Sequence, residues 1–181
     1  TSAYVNTLTL SSSENAEATF SAELMALSLA STYTSSTSVA YASQAETVLR
    51  HADASFTLGG TDLTAYARSI EVAISNGLEP RRGAGTLTPR VMQLVGAREV
   101  TVTVTLDAET TFIETILSRW RGQTAADAVV SWTTGGYGPT ITVNDGVMTA
   151  AADVAISGTG QQTVTLTIKG HGVLGTTEAV A

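Results

Sequence analysis

Three stretches of the chain alternate apolar and small or polar residues one for one. Ile70, Val72 and Ile74 alternate with Ser69, Glu71, Ala73 and Ser75. Val100, Val102, Val104 and Leu106 alternate with Thr101, Thr103 and Thr105, and Val164, Leu166 and Ile168 with Thr163, Thr165 and Thr167. Successive side chains of a strand point to opposite faces, so a period of two predicts a half-buried strand. Weaker signals predict strands over Val5–Leu10, Ala18–Leu27, Ala54–Leu58, Val129–Thr133, Thr140–Val143 and Val147–Ile156. Asn144-Asp145-Gly146 separates the last two, and Asp-Gly suits the positive φ of a tight turn, so a hairpin is expected there.

One segment has a different period. From Ala108 to about Arg121, the residues Phe112, Ile113, Ile116, Leu117 and Trp120 recur at steps of three and four. That spacing collects them on one face of a helix. Asp107 and Glu109 near its start and Arg119 and Arg121 near its end suit the helix dipole, and Gly122 is the expected stop. The fold class expected is mainly β, of sandwich or barrel type, with one flanking helix.

Two segments lack a regular pattern. Ser28 to Gln44 is rich in Ser, Thr and Ala and reads as a linker or extended arm. Asn76 to Gly96 reads as a long inter-strand loop carrying Pro80, Arg81, Arg82, Gly83, Gly85, Pro89 and Arg90. Loops of that length inside a compact domain are uncommon and often functional. The organisation expected is an N-terminal hairpin and Ser/Thr-rich arm over 1–45, a sandwich domain over 46–172, and a C-terminal tail over 173–181. The hairpin near Val5–Leu27 loosely resembles that near Thr149–Gly170, so residues 1–28 read as a candidate remnant of a preceding, related domain.

Composition narrows the function. Charged residues are 14% of the chain, against roughly 25% in an average soluble protein. A surface wetted by Ser and Thr, or covered by neighbouring subunits, accounts for that. The net charge of −7 opposes a stable grip on nucleic-acid phosphates. No apolar run is long enough to span a membrane as a helix. There are no cysteines, hence no disulfide or thiol chemistry. His51 and His171 are far apart and lie in no metal-binding spacing, so a surface or packing role is expected. Gly135-Gly136-Tyr137-Gly138 and Gly158-Thr159-Gly160 lack the residues of a phosphate loop and read as turns. No nucleophile elbow and no singled-out carboxylate pair occurs, so no catalytic residue, cofactor or metal is expected. Trp120 reads as helix–sheet core rather than a sugar platform.

The order of these segments resembles the tail tube proteins of long-tailed, siphovirus-like phages. Ser55-Phe56-Thr57-Leu58-Gly59-Gly60-Thr61 is similar to the family's opening strand and turn. Ser69 to Pro80 resembles its next strand, ending in an Asn-x-Leu step, and a glycine-bearing loop, Gly83 to Gly85, follows. Gly96-Ala97-Arg98-Glu99-Val100 and the alternation to Leu106 resemble its Gly-x-Arg-Glu-Val strand. The resemblance runs from about Val5 to Gly170. Members usually carry a further N-terminal portion, so a fragment or a processed chain is expected.

The resemblance implies a structural virion subunit, not an enzyme, made in the host cytoplasm. It implies self-assembly into stacked rings of six sandwich units, from six single-domain or three double-domain subunits. Tape measure, tail terminator and distal tail proteins would be its further partners. DNA would pass through the lumen without being held. The candidates for an inter-subunit contact are Pro80, Arg81, Arg82, Gly83, Gly85 and Arg90 in the long loop. The alternative is another self-assembling or adhesive extracellular β-sandwich domain, which needs neither the mid-chain helix nor the Arg-bearing loop.

Overall fold

The computed structural model describes residues 3–27, 48–86, 88–108, 110–136, 138–151, 162–170 and 175–178. The three cleanest alternations form β5 (Ala67–Ser75), β8 (Glu99–Asp107) and β11 (Thr163–Gly170). They lie side by side, all antiparallel, in the middle of the larger of two sheets. β1 (Ala3–Ser13) and then β2 (Thr19–Ala26) extend that sheet beyond β5. The smaller sheet pairs β3 (Ala54–Leu58) with β4 (Thr61–Asp62) and with β9 (Ala126–Trp132).

A single long strand, β10 (Pro139–Ala151), belongs to both sheets. Its first half pairs with β9 and with the short β12 (Gly175–Glu178), and its second half with β11. The hairpin expected at Asn144–Gly146 is therefore corrected to a bend within one strand. Asp145 does take a positive φ, 51°, but at a break in register between Val143 and Gly146. Its amide donates to Asp127 Oδ1 at 2.9 Å. The bend lets Ile141 and Val143 on one side and Met148 on the other all reach the core. A hairpin would have paired the two halves with each other and left β9 and β11 without a common neighbour.

The apolar faces of both sheets meet in one core. Val72, Val102, Val104, Leu106, Leu166 and Ile168 come from the larger sheet, and Phe56, Ala128, Val130 and Trp132 from the smaller. The polar positions form the opposite face, where Thr105 and Thr165 hydroxyls lie 3.2 Å apart across the strands. Helix α1 (Thr110–Arg121) packs against β10. Ile116 is buried, and Ile113 and Trp120 cover the core's edge, as the helical period predicts.

The helix stops at Arg121, just before Gly122, as expected, but its start and its cap differ in detail. Asp107 ends β8 and pairs with Arg68 instead of serving the dipole. The left-handed residue at the helix end is Gln123, with φ 48°, one position past Gly122. Gln123 N–H donates to Trp120 O at 3.1 Å and Thr124 N–H to Arg119 O at 3.0 Å, so both bonds of a Schellman cap form. The arm over Ser28–Gln44, His171 and Gly158–Gly160 lie outside the described residues.

Candidate assembly surface

The long connection is not irregular. After β5 the chain forms its own hairpin from β6 (Leu78–Arg82) and β7 (Pro89–Leu94). The sequence-predicted positions all fall on it. Pro80, Arg81 and Arg82 lie on β6, Gly83 and Gly85 in the turn, and Arg90 on β7; all six are exposed. Pro80 is tolerated because the ribbon has only two strands, both of them edges. The turn closes by Thr86, whose amide and hydroxyl both donate to Gly83 O.

Register divides the hairpin into two faces, because directly paired residues share one. Leu78 pairs with Leu94 and Pro80 with Met92, which makes one face apolar. Glu79 pairs with Gln93 and Arg81 with Val91 on the other. Reading the segment as a loop missed the apolar face. The signal was present as Leu78-x-Pro80 and Met92-x-Leu94, but proline and glycines masked the period of two.

The base of the hairpin is held by side chains that sequence reading did not single out. Asn76 Nδ2 donates to Val5 O at 2.8 Å, and Asn6 Oδ1 accepts from Leu78 N–H at 3.0 Å. Arg98 Nε donates to Asn76 Oδ1 at 2.7 Å. Asn6 sits at the register break of β1, between Val5 and Thr7, which turns its amide toward the hairpin. Gly77 has φ 58°, and a Cβ there would stand 3.1 Å from Gly96 O, so glycine alone fits without strain. Three polar side chains and the close approach of Gly77 to Gly96 thus set where the hairpin leaves the body.

A second exposed apolar region lies at the edge of the larger sheet. One row of paired side chains crosses all six of its strands: Met148, Ile168, Val102, Val72, Leu10 and Phe20. The first five are buried, but Phe20 on β2 is 69% exposed. Leu24, on the same face of β2, is 64% exposed. The larger sheet therefore extends past its cover. Under the overhang lies an apolar groove of about 520 Å³, lined by Leu8, Phe20, Val48, Leu49, Ile74 and Ile141 among others.

Electrostatics separate the hairpin from the body. Three arginines against Glu79 leave it at +2 in a chain of net charge −7. On the body, Arg68 bonds Asp107 and Glu14, and Lys169 bonds Glu99. The hydrogen bond to Asp107 holds the Arg68 guanidinium above its ordinary pKa, with the charges of Asp107 and Glu14 adding to it. Among the described residues, no three His, Cys, Asp or Glu side chains gather as a metal site requires. His51 is bonded on both ring nitrogens, to Ser12 and to the Ala67 carbonyl. Trp132 is buried in the core, at the floor of the groove.

Comparison with known proteins agrees with this architecture. Two solved structures share the fold: the tail of an empty gene transfer agent particle refined with C6 symmetry, and the virion of a native gene transfer agent particle. The identities are 15% and 16%, each with a TM-score of 0.50, covering 70% of this chain and 96% of the other. No curated protein matches the sequence. The family model described as phage tail tube protein matches residues 3–170. With that match spanning nearly the whole chain, over the sheets, the helix and the hairpin alike, the protein belongs to the phage tail tube family.

Proposed function

We propose that this tail tube subunit works by closing with copies of itself into rings that stack into a hollow tube. The observation that carries the reading is the hairpin β6–β7. It has an apolar face, pairs with no other strand among the described residues, and has its base fixed by Asn6, Asn76 and Arg98. An isolated two-stranded hairpin is at best marginally stable in water, so this one is built to be covered by a neighbour. Pro80, Arg81, Arg82, Gly83, Gly85 and Arg90 then belong to an inter-subunit contact. Rings of six sandwich units, from six single-domain or three double-domain subunits, agree with the C6 symmetry of the similar gene transfer agent tail.

DNA passes through the lumen without being held, in keeping with the net charge of −7. Tape measure, tail terminator and distal tail proteins meet the tube along its length and at its ends. Assembly takes place in the host cytoplasm, and the role is mechanical rather than catalytic. Negative-stain electron microscopy over a concentration series tests this. Hollow tubes or rings of uniform diameter are the expected result, and dispersed monomers at every concentration would refute it.

A further inference from the structure

We propose that the apolar face of the hairpin of one copy seats in the groove beside β2 of a second copy, making a head-to-tail contact. The inference deepens the self-assembly reading and rests on it. It begins from two exposed apolar surfaces of opposite shape on one chain. One projects: Leu78, Pro80, Met92 and Leu94 share a face of the hairpin, and Leu94 is 62% exposed. The other is concave: the groove of about 520 Å³ lies within the ~300–1,000 Å³ range of clefts that take up ligands. Phe20 and Val48, 69% and 48% exposed, are part of its lining. Exposed apolar patches of this kind mark interaction sites.

The hairpin does not fill the groove of its own chain. No residue of the hairpin lines it. The clamp of Asn6, Asn76 and Arg98 and the close approach of Gly77 to Gly96 fix the base of the hairpin. A second copy supplies what the first cannot reach. Charge favours the same pairing. The hairpin carries +2, whereas the rest of the chain carries −9, and exposed Glu17 adjoins Ala18 of the groove's lining. Opposite charge at the rim fixes orientation and speeds encounter. A contact between two different surfaces of one chain is heterologous, and heterologous contacts propagate into closed rings or helical filaments. That is the assembly class a tube requires, and a symmetric pairing of like surfaces would stop at a dimer.

The absence of cysteine makes a direct test available. Leu94→Cys and Phe20→Cys are prepared singly and together and oxidised under assembly conditions. The double variant should lose its monomer band to a ladder extending beyond dimer, while each single variant stays monomeric. Met92→Cys with Val48→Cys is a second pair, needed because disulfides form only when the Cα atoms come within about 7 Å. Disulfide formation within one chain and no ladder, in either pair, would overturn the proposal by showing that the hairpin reaches its own groove. A single variant that dimerises through itself, without a ladder in the double variants, would replace the head-to-tail contact with a symmetric one. Rings or tubes in the microscope with no ladder from either pair would sink the docking proposal and leave self-assembly standing. Neither assemblies nor ladders would remove both.

Discussion

Ser12 is the only polar side chain among the described residues that falls in the buried class. Its hydroxyl lies 2.9 Å from Trp132 Nε1 and 2.9 Å from His51 Nδ1. His51 Nε2 lies 2.8 Å from the Ala67 carbonyl, which only accepts, so Nε2 donates. In the neutral ring Nδ1 is then the acceptor, Ser12 donates to it, and Trp132 donates to Ser12. This chain of bonds joins β1 to β9 across the core and ties both to the turn at His51. Ser12→Ala leaves the buried Trp132 N–H without an acceptor and should cost about 1–3 kcal/mol. Urea denaturation measures it, and an unchanged midpoint would mean that the network contributes nothing. None of this was legible in the sequence. A serine in a polar-looking strand, a lone histidine and a tryptophan carry no local sign of being partners.

At the scale of elements, the helix was the more readable and its cap the less so. Apolar spacing located α1 to within two residues of its observed start, Thr110. Gly122 follows the last helical residue, Arg121, as expected, but Gln123 holds the left-handed place. Ile116 and Trp120 pack on the core, and the chain takes its left-handed turn one residue past Gly122. A non-glycine residue in the left-handed region costs roughly 1–2 kcal/mol. Gln123→Gly should therefore stabilise the fold by about 0.5–1 kcal/mol, part of the gain being offset by the greater freedom of the unfolded chain. A rise in Tm checks it, and a fall would show that the Gln123 side chain has a role of its own. The hairpin β6–β7 is the opposite case. Its composition marked it as unusual, yet its strands were hidden because Pro80 and the turn glycines interrupt the alternation.

At the scale of the whole molecule, the proposed assembly surface and the folded core occupy separate regions. The core is closed by the two sheets and the helix, whereas the hairpin stands outside it. Arg81 and Arg82 are exposed on the hairpin, and substitutions at such places rarely unfold a domain. Arg81→Glu with Arg82→Glu should shift the unfolding free energy by no more than about 0.5 kcal/mol. The same double change reverses the sign of the hairpin and should raise the concentration needed for tubes by about tenfold or more, near 1.4 kcal/mol. Light scattering against concentration reads the second effect and thermal melting the first. Tubes forming at the unaltered concentration would remove these arginines from the contact.

What the sequence determined by itself was whatever a strand or helix expresses locally. Alternation in β5, β8 and β11 reports burial on one face, and any half-buried strand must show it, so these three strands were readable in advance. The family resemblance rested on the same segments in the same order. Tertiary structure decided the rest, because pairing and cover depend on residues distant in the chain. The Asp145-Gly146 pair allows a positive φ in either a hairpin or a bend, and the competing partners β9 and β11 chose the bend. Phe20 and Leu24 carry the same apolar chemistry as Val72 and Val102. They are exposed because the smaller sheet ends before it reaches β2, which is a property of the assembled layers and of no single strand.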